Sequence, residues 1–273
     1  MWTADQLAQS CVSAPATMLQ VVVSADVYLN PVVSLAFDPQ GNLWAAGGYG
    51  VAGYRAADLR ASGNITPAWL LSGYCRAINL PCYPVGLAFD RNGFLWVGNG
   101  SALLAYAPST LMTATVANDG GTPPADFLIT VYCNDPVDGG FGCEDGNVSY
   151  GSVAFDVEGD LWVTGNVSLL SDQLMEYSKA QLDNLDKDDE PWPAFWTYAS
   201  SNEDVGAGTL AFDGDGELWI GRGVFDGDGG NLLRFDPGTL FDGGPPDVGL
   251  TVPGDPSVSL AFSPIPAGLP IQP

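Results

Sequence analysis

The chain contains no histidine, and only 8 lysines and arginines stand against 32 aspartates and glutamates, for a net charge of −24. Without imidazole there is no Ser-His-Asp or Cys-His pair and no histidine general base. The scarcity of positive charge, with lysine confined to Lys179 and Lys187, argues against nucleic acid and anionic membranes as partners, since both are polyanions. No apolar run approaches the roughly 18 residues that cross a bilayer, so insertion into a membrane is not expected. The first residues lack a basic segment followed by an apolar one. An export signal is therefore expected to have been removed, or the chain to belong to a longer parent. There is no CxxCH, no P-loop and no GxGxxG opening a helix.

What is present is acidic, apolar and loop-rich. Hydrophobic residues make up 46% of 273 positions, enough for a sizeable core. The acidic surface favours cations, cationic partners or neutral ligands. Aspartate far outnumbers glutamate. Its plain reading is turn chemistry, in which the carboxylate bonds to its own backbone; its sharper reading is a saline or calcium-rich habitat. Five cysteines occur. Cys75 and Cys82 bracket one loop, Cys133 and Cys143 the corresponding loop of the next repeat, and Cys11 is left over. Two short-loop pairs in matching positions read as disulfides, hence an oxidising compartment, extracellular or periplasmic. Zinc is disfavoured because no histidine is available and neither pair has CxxC spacing. Asn64, Asn99, Asn147 and Asn166 head N-x-S/T sequons, usable only in a host that glycosylates them.

The decisive pattern is an internal repeat. SLAFDPQGNLWAAG from Ser34 recurs as GLAFDRNGFLWVGN from Gly86, SVAFDVEGDLWVTG from Ser152 and TLAFDGDGELWIGR from Thr209. A degraded copy, SLAFSPIPAGLPI, starts at Ser259. The alanines fall at 36, 88, 154, 211 and 261, spaced by 52, 66, 57 and 50 residues. Those periods suit four-stranded propeller blades with variable loops. In each unit L-A-F reads as the innermost strand, D-x-x-G-x as a hairpin whose glycine supplies positive φ, and L-W-[VAI] as the second strand, its tryptophan packing between blades. A third strand carries an aromatic and, five residues on, a leucine: Tyr54, Tyr106, Tyr177 and Phe235 head this series. A hydrophobic stretch such as PAWLLSG or ADFLITVY makes the fourth.

The chain start fits the same scheme. MWTADQL matches the third strand through Trp2, and ATMLQVVVS the fourth; Trp2 to Ala36 is 34 residues, as are Tyr54 to Ala88 and Tyr177 to Ala211. The expectation is an all-β, five-bladed β-propeller of four-stranded blades, its ring closed by N-terminal outer strands pairing with C-terminal inner strands. Closure of this kind removes free sheet edges. The blades fall at 1–30 plus 257–273, 31–73, 84–132, 150–200 and 207–253. A fragment of a larger propeller is the alternative. The LAFDxxGNLWVA pattern resembles the repeats of NHL-type and SMP-30/strictosidine-synthase-like propellers over nearly the whole chain. That resemblance resides in scaffold positions and implies a propeller, not an activity. Streptogramin-lyase chemistry, which needs a catalytic histidine, is excluded.

Candidate sites follow from the scheme. Loops from fourth to first strands and from second to third strands share one face, where propeller ligands usually enter. It carries Tyr49, Asn99, Asn166 and Arg222, the insert from Cys133 to Tyr150 with Glu144, and the segment around Glu203. The SMP-30-like resemblance implies that metal and substrate residues would come from this face; turn chemistry alone also accounts for its asparagines. Calcium is the most arguable cofactor, because a hard cation needs several close oxygens. Asp226 and Asp228, in a loop without a repeat counterpart, are the metal candidates. The run Asp213-Gly-Asp215-Gly-Glu217 reads as turn chemistry at the D-x-x-G hairpin, and the acids from Asp183 to Glu190 as a solvated loop. The leading functional expectation is a secreted, non-enzymatic binding or assembly module that presents a disulfide-braced acidic face to a protein, glycan or cation. A calcium-dependent lactonase-type hydrolase is the alternative, followed by a structural subunit of a surface layer or filament.

Overall fold

The computed structural model describes residues 19–21, 32–48, 50–60, 63–72, 84–100, 102–114, 123–130, 148–167, 170–185, 195–198, 208–222, 230–236 and 247–252. Leu19–Val21 forms β1, Val32–Phe37 β2, Leu43–Gly47 β3, Gly50–Tyr54 β4, Gly63–Ile65 β5 and Trp69–Ser72 β6. Next come β7 (Gly86–Phe89), β8 (Leu95–Asn99), β9 (Ala102–Tyr106), helix α1 (Pro108–Leu111) and β10 (Phe127–Thr130). They are followed by β11 (Val148–Phe155), β12 (Leu161–Val167), β13 (Leu170–Tyr177), helix α2 (Lys179–Asp183) and β14 (Phe195–Tyr198). The last four strands are β15 (Thr209–Phe212), β16 (Leu218–Arg222), β17 (Gly230–Phe235) and β18 (Val248–Val252).

Four antiparallel four-stranded sheets result, in the orders β2-β3-β4-β6, β7-β8-β9-β10, β11-β12-β13-β14 and β15-β16-β17-β18. The first strand of each sheet lies beside the first strand of the next, from β2 to β7 to β11 to β15. Successive up-and-down sheets laid face to face in this order are the blades of a β-propeller. The repeat reading places each of these strands, LAF, LWV, the aromatic strand and the fourth strand alike.

One assignment changes. The third strands end at the aromatic, and the leucine five residues on lies on a helical turn instead. Leu59 is in the 3-10 turn Asp58–Arg60, Leu111 in α1 and Leu182 in α2. The local chemistry explains the turn: Pro108 occupies the first turn of α1, where its missing N–H costs nothing. Ser178 and Gln181 form a capping box at α2. Leu59 and Leu111 are buried, so the leucine plugs the outer end of the blade. A second difference concerns the chain start. Leu19–Val21, inside the stretch read as a fourth strand of the closing blade, pairs in parallel with β5.

The core is a series of seams between sheets. Trp44 meets Phe89 edge-on at 6.2 Å, Trp96 meets Phe155 at 6.3 Å and Trp162 meets Phe212 at 6.2 Å. The tryptophan of each second strand thus abuts the phenylalanine of the next blade's LAF. Three equal contacts of this geometry each add about 1 kcal/mol beyond the area they bury. Between the second and third blades the backbones also touch. A Cβ on Gly98 would stand 2.1 Å from the Gly151 carbonyl oxygen, and one on Gly86 2.7 Å from the same atom.

Candidate functional site

The two rims of the blades differ chemically. One rim is formed by the D-x-x-G hairpins and the helical turns beside them. In each of the four described hairpins the aspartate's Oδ1 accepts backbone N–H bonds from within the turn. For Asp38 the donors are Gln40 and Asn42, for Asp90 Asn92 and Phe94, and for Asp213 Asp215 and Glu217. Asp156 takes three, from Glu158, Gly159 and Asp160, at 2.9–3.0 Å. The Oδ2 of each accepts from the indole N–H of the tryptophan six residues on: Trp44 and Trp96 at 3.2 Å, Trp162 and Trp219 at 2.8 Å. Gly41, Gly93, Gly159 and Gly216 hold φ between 80 and 95°, a region in which a side chain is strained. The repeat motif D-x-x-G-x-L-W is therefore one device. The carboxylate closes the hairpin and aims the indole that locks the next blade.

This accounts for the Asp213-Gly-Asp215-Gly-Glu217 run. Burial raises the Asp213 carboxyl pKa, but the bonds from Trp219, Glu217 and Asp215 outweigh it, and the net shift is downward. For Asp90 burial wins over the bonds from Phe94, Trp96, Asn92 and Gly93, and its carboxyl is raised. The fourth blade adds an ion pair on this rim, with Arg234 Nη1 donating to Glu217 at 3.1 Å and its guanidinium 5.9 Å from the Trp219 ring centre. The third blade places acids at both corresponding positions, Asp160 and Glu176. Glu176 is only 5% exposed. Burial, then the charges of Asp160 and Asp156, push its carboxyl up to about 7. Nearby Lys179 is paired with Asp183.

The opposite rim is where ligand contacts were expected. Asn99 ends β8, Asn166 lies near the end of β12, and Arg222 ends β16. Tyr150 lies on β11 opposite Gly165, one step from the Ser149–Asn166 pair. The fold brings these four onto one rim. Asn99 is 4% exposed, so it belongs to the framework of the rim rather than its surface, and a glycan at that sequon has no room. Among the described second strands that of the third blade extends furthest at this rim: β12 runs to Val167, and β13 starts at Leu170. A bulge between Tyr150 and Val153 bends its inner strand. Thr164, fully buried under this rim, ties the third and fourth blades by donating to the Gly208 carbonyl at 3.3 Å.

Tyr49, Glu144, Glu203, Asp226 and Asp228 lie outside the described residues, as do all five cysteines and, apart from Leu19–Val21, both segments expected to form a closing blade. Among the described residues no group of three or more acids or cysteines is arranged to hold a metal, and no helix is long and apolar enough to cross a membrane. Sequence reasoning missed the Asp–Trp clamp, although its signal, an aspartate six residues before a tryptophan in four copies, was in plain view. It also missed the buried Glu176, which no repeat position announces.

Neither family models nor curated proteins yield a match to the chain. Solved structures do. A Bacteroides caccae protein of unknown function is 11% identical with a TM-score of 0.46, over 81% of this chain and 60% of that one. Streptogramin B lyase is 12% identical with a TM-score of 0.41, over 75% of this chain and 51% of that one. The extracellular domain of a putative hybrid two-component system from B. thetaiotaomicron is 16% identical with a TM-score of 0.39, over 77% and 23%. The chain spans less than two thirds of the length of each. At such scores these likenesses identify nothing the chain does.

Proposed function

We propose that the chain is a five-bladed, NHL- or SMP-30-like propeller, exported from the cell. In this reading it acts as a non-enzymatic binding module through the rim that carries Tyr150, Asn166 and Arg222. The observation that carries this reading is the division of labour between the rims. On the hairpin rim the four motif aspartates, Asp38, Asp90, Asp156 and Asp213, are committed to closing turns and holding indoles. At the opposite rim the strands of the third blade run further, to Val167 and from Leu170. Cys75–Cys82 and Cys133–Cys143 disulfides would brace its loops and lower the ordering cost of binding. With Glu144, Glu203, Asp226 and Asp228 on the loops that the repeat scheme assigns to this rim, the face would be acidic and suit a cationic protein surface, a glycan or a cation, and Asp226 and Asp228 would hold calcium in the loop that joins the second and third strands of the fourth blade.

The test is capture of partners from extracellular extract and from a glycan array, with Asn166→Ala and Tyr150→Ala compared with a hairpin-rim control, Asp58→Ala. Loss of capture in the first two alone supports the reading. Equal capture by all three, or turnover of lactone substrates by the unaltered protein, overturns it.

A further inference from the structure

The inner edge of every blade is an edge strand whose outward N–H groups need partners. Two of the described blades satisfy them in the same way. Ser34 on β2 accepts, through Oγ, the backbone N–H of Leu87 on the next inner strand at 3.1 Å. Ser152 on β11 accepts that of Leu210 at 3.0 Å. Where the second blade has Gly86 in place of serine, the backbones close directly, with the Cβ position 2.8 Å from the Val153 nitrogen. β2, β7 and β11 are thus each joined to the following inner strand at the residue before that strand's alanine.

The first inner strand has no such predecessor among the described residues, and its side chains show it. Leu35 is 60% exposed and Phe37 46% exposed, with Val32 and Val33 above 40%. The residues at the same repeat positions in the second blade, Leu87 and Phe89, are buried by the preceding blade, Phe89 under Trp44. An apolar sheet face of this kind on an otherwise acidic protein calls for a cover.

We propose that the cover is the chain's own Ser259–Phe262 segment, docked as a fifth inner strand between β15 and β2. Ser259 Oγ then accepts from the Leu35 N–H, and Phe262 receives the edge of Trp219. The assignment rests on continuity with the seams already formed. Ser259 occupies the position of Ser34 and Ser152, Phe262 that of Phe89, Phe155 and Phe212, and Trp219 that of Trp44, Trp96 and Trp162. It deepens the five-bladed reading by fixing the register of the closure. The fifth copy carries Ser263 where the clamp aspartate stands and has no tryptophan after it, so no indole from that copy can lock Phe37. The seam on β2 is thereby the ring's one seam without an Asp-aimed tryptophan.

The test is residue-resolved amide exchange on the full chain, unaltered and as Ser259→Ala, with Ser152→Ala as reference. In the unaltered chain the Leu35 amide is expected to exchange as slowly as Leu87 and Leu210. Ser259→Ala should speed it about tenfold while leaving Leu210 unchanged, as Ser152→Ala does at Leu210 alone. Slow exchange at Leu35 that ignores Ser259→Ala overturns the register but leaves a closed ring. Exchange at Leu35 at the rate of an open strand overturns the register and the five-bladed closure together. Should Ser259→Ala not fold, the paired changes Trp219→Leu and Phe262→Leu replace it: melting-temperature losses smaller together than summed support the contact, and strict additivity overturns it.

Discussion

Replacing Glu176 with glutamine removes a buried carboxyl whose pKa is raised close to neutral pH. Its folded value is about 7 against an ordinary 4.5, with burial first and the Asp160 and Asp156 charges second among the causes. A raised value means that the folded chain holds this proton more tightly than the unfolded chain. The group therefore costs stability where it is ionised, above pH 7, and the cost disappears as pH falls toward 4.5. At 1.36 kcal/mol per unit, the cost is about 3 kcal/mol at pH 8 and about 1 kcal/mol at pH 5. Water reaching the blade edge reduces this, so we take about 2 kcal/mol as the expected change between the two pH values. Glutamine matches the neutral acid in shape. Urea unfolding should thus find Glu176→Gln more stable than the unaltered protein at pH 8, with an advantage about 2 kcal/mol larger there than at pH 5. Comparison of the two proteins cancels the titration of the other acids. A difference that is the same at both pH values, or a less stable variant at pH 8, would refute the reasoning.

Other outcomes follow from the same geometry. Asp156→Ala removes the acceptor of the Glu158 and Asp160 backbone N–H groups and of the Trp162 indole, while Gly159 keeps its bond to the Asp156 carbonyl; urea unfolding should show a loss of about 2 kcal/mol, and Trp162 emission should shift. Gly98→Ala drives a methyl into the Gly151 carbonyl and is expected to cost more than about 3 kcal/mol or to prevent folding. Gly100→Ala, at φ 54° with open space around it, should cost only about 1 kcal/mol by thermal melting. Tyr54 is fully buried with its hydroxyl unpartnered and its pKa pushed up to about 12 by burial. Tyr54→Phe should therefore leave stability unchanged or raise it by about 1 kcal/mol. For the calcium proposal, melting in millimolar calcium should exceed that in EDTA by several degrees and lose the difference in Asp226→Asn/Asp228→Asn; no shift in the unaltered protein removes the ion from the account.

The blade strands were legible in the sequence because each repeat carries its own strand signals within about 20 residues. These are an apolar triplet, a D-x-x-G turn and a tryptophan whose spacing follows from hairpin geometry alone. The aromatic strands were legible in position but not in extent. The helical turns behind them depend on Pro108 and on the Ser178–Gln181 box, signals that the strand reading passed over. At the candidate rim, the alignment of LWV segments predicted that Asn99, Asn166 and Arg222 share one end of the sheets, since strands in register bring equal repeat positions to equal heights. It did not predict that Asn99 is buried while the strands of the third blade run further, because loop lengths and bulges differ from blade to blade.

By itself the sequence determined the repeat, the strand order and the use of aspartate in turns, since all of these are settled within one hairpin. That the tryptophans pack between blades was legible too, but only the tertiary structure decided which residues they and their neighbours meet there. The Trp–Phe seams, the serine stitches from Ser34 to Leu87 and from Ser152 to Leu210, and the contact of Gly98 with Gly151 join residues about 45 to 60 apart. The raised carboxyl of Glu176 belongs to the same class. Its value depends on which neighbours burial leaves facing it, and that is fixed by packing rather than by any local pattern.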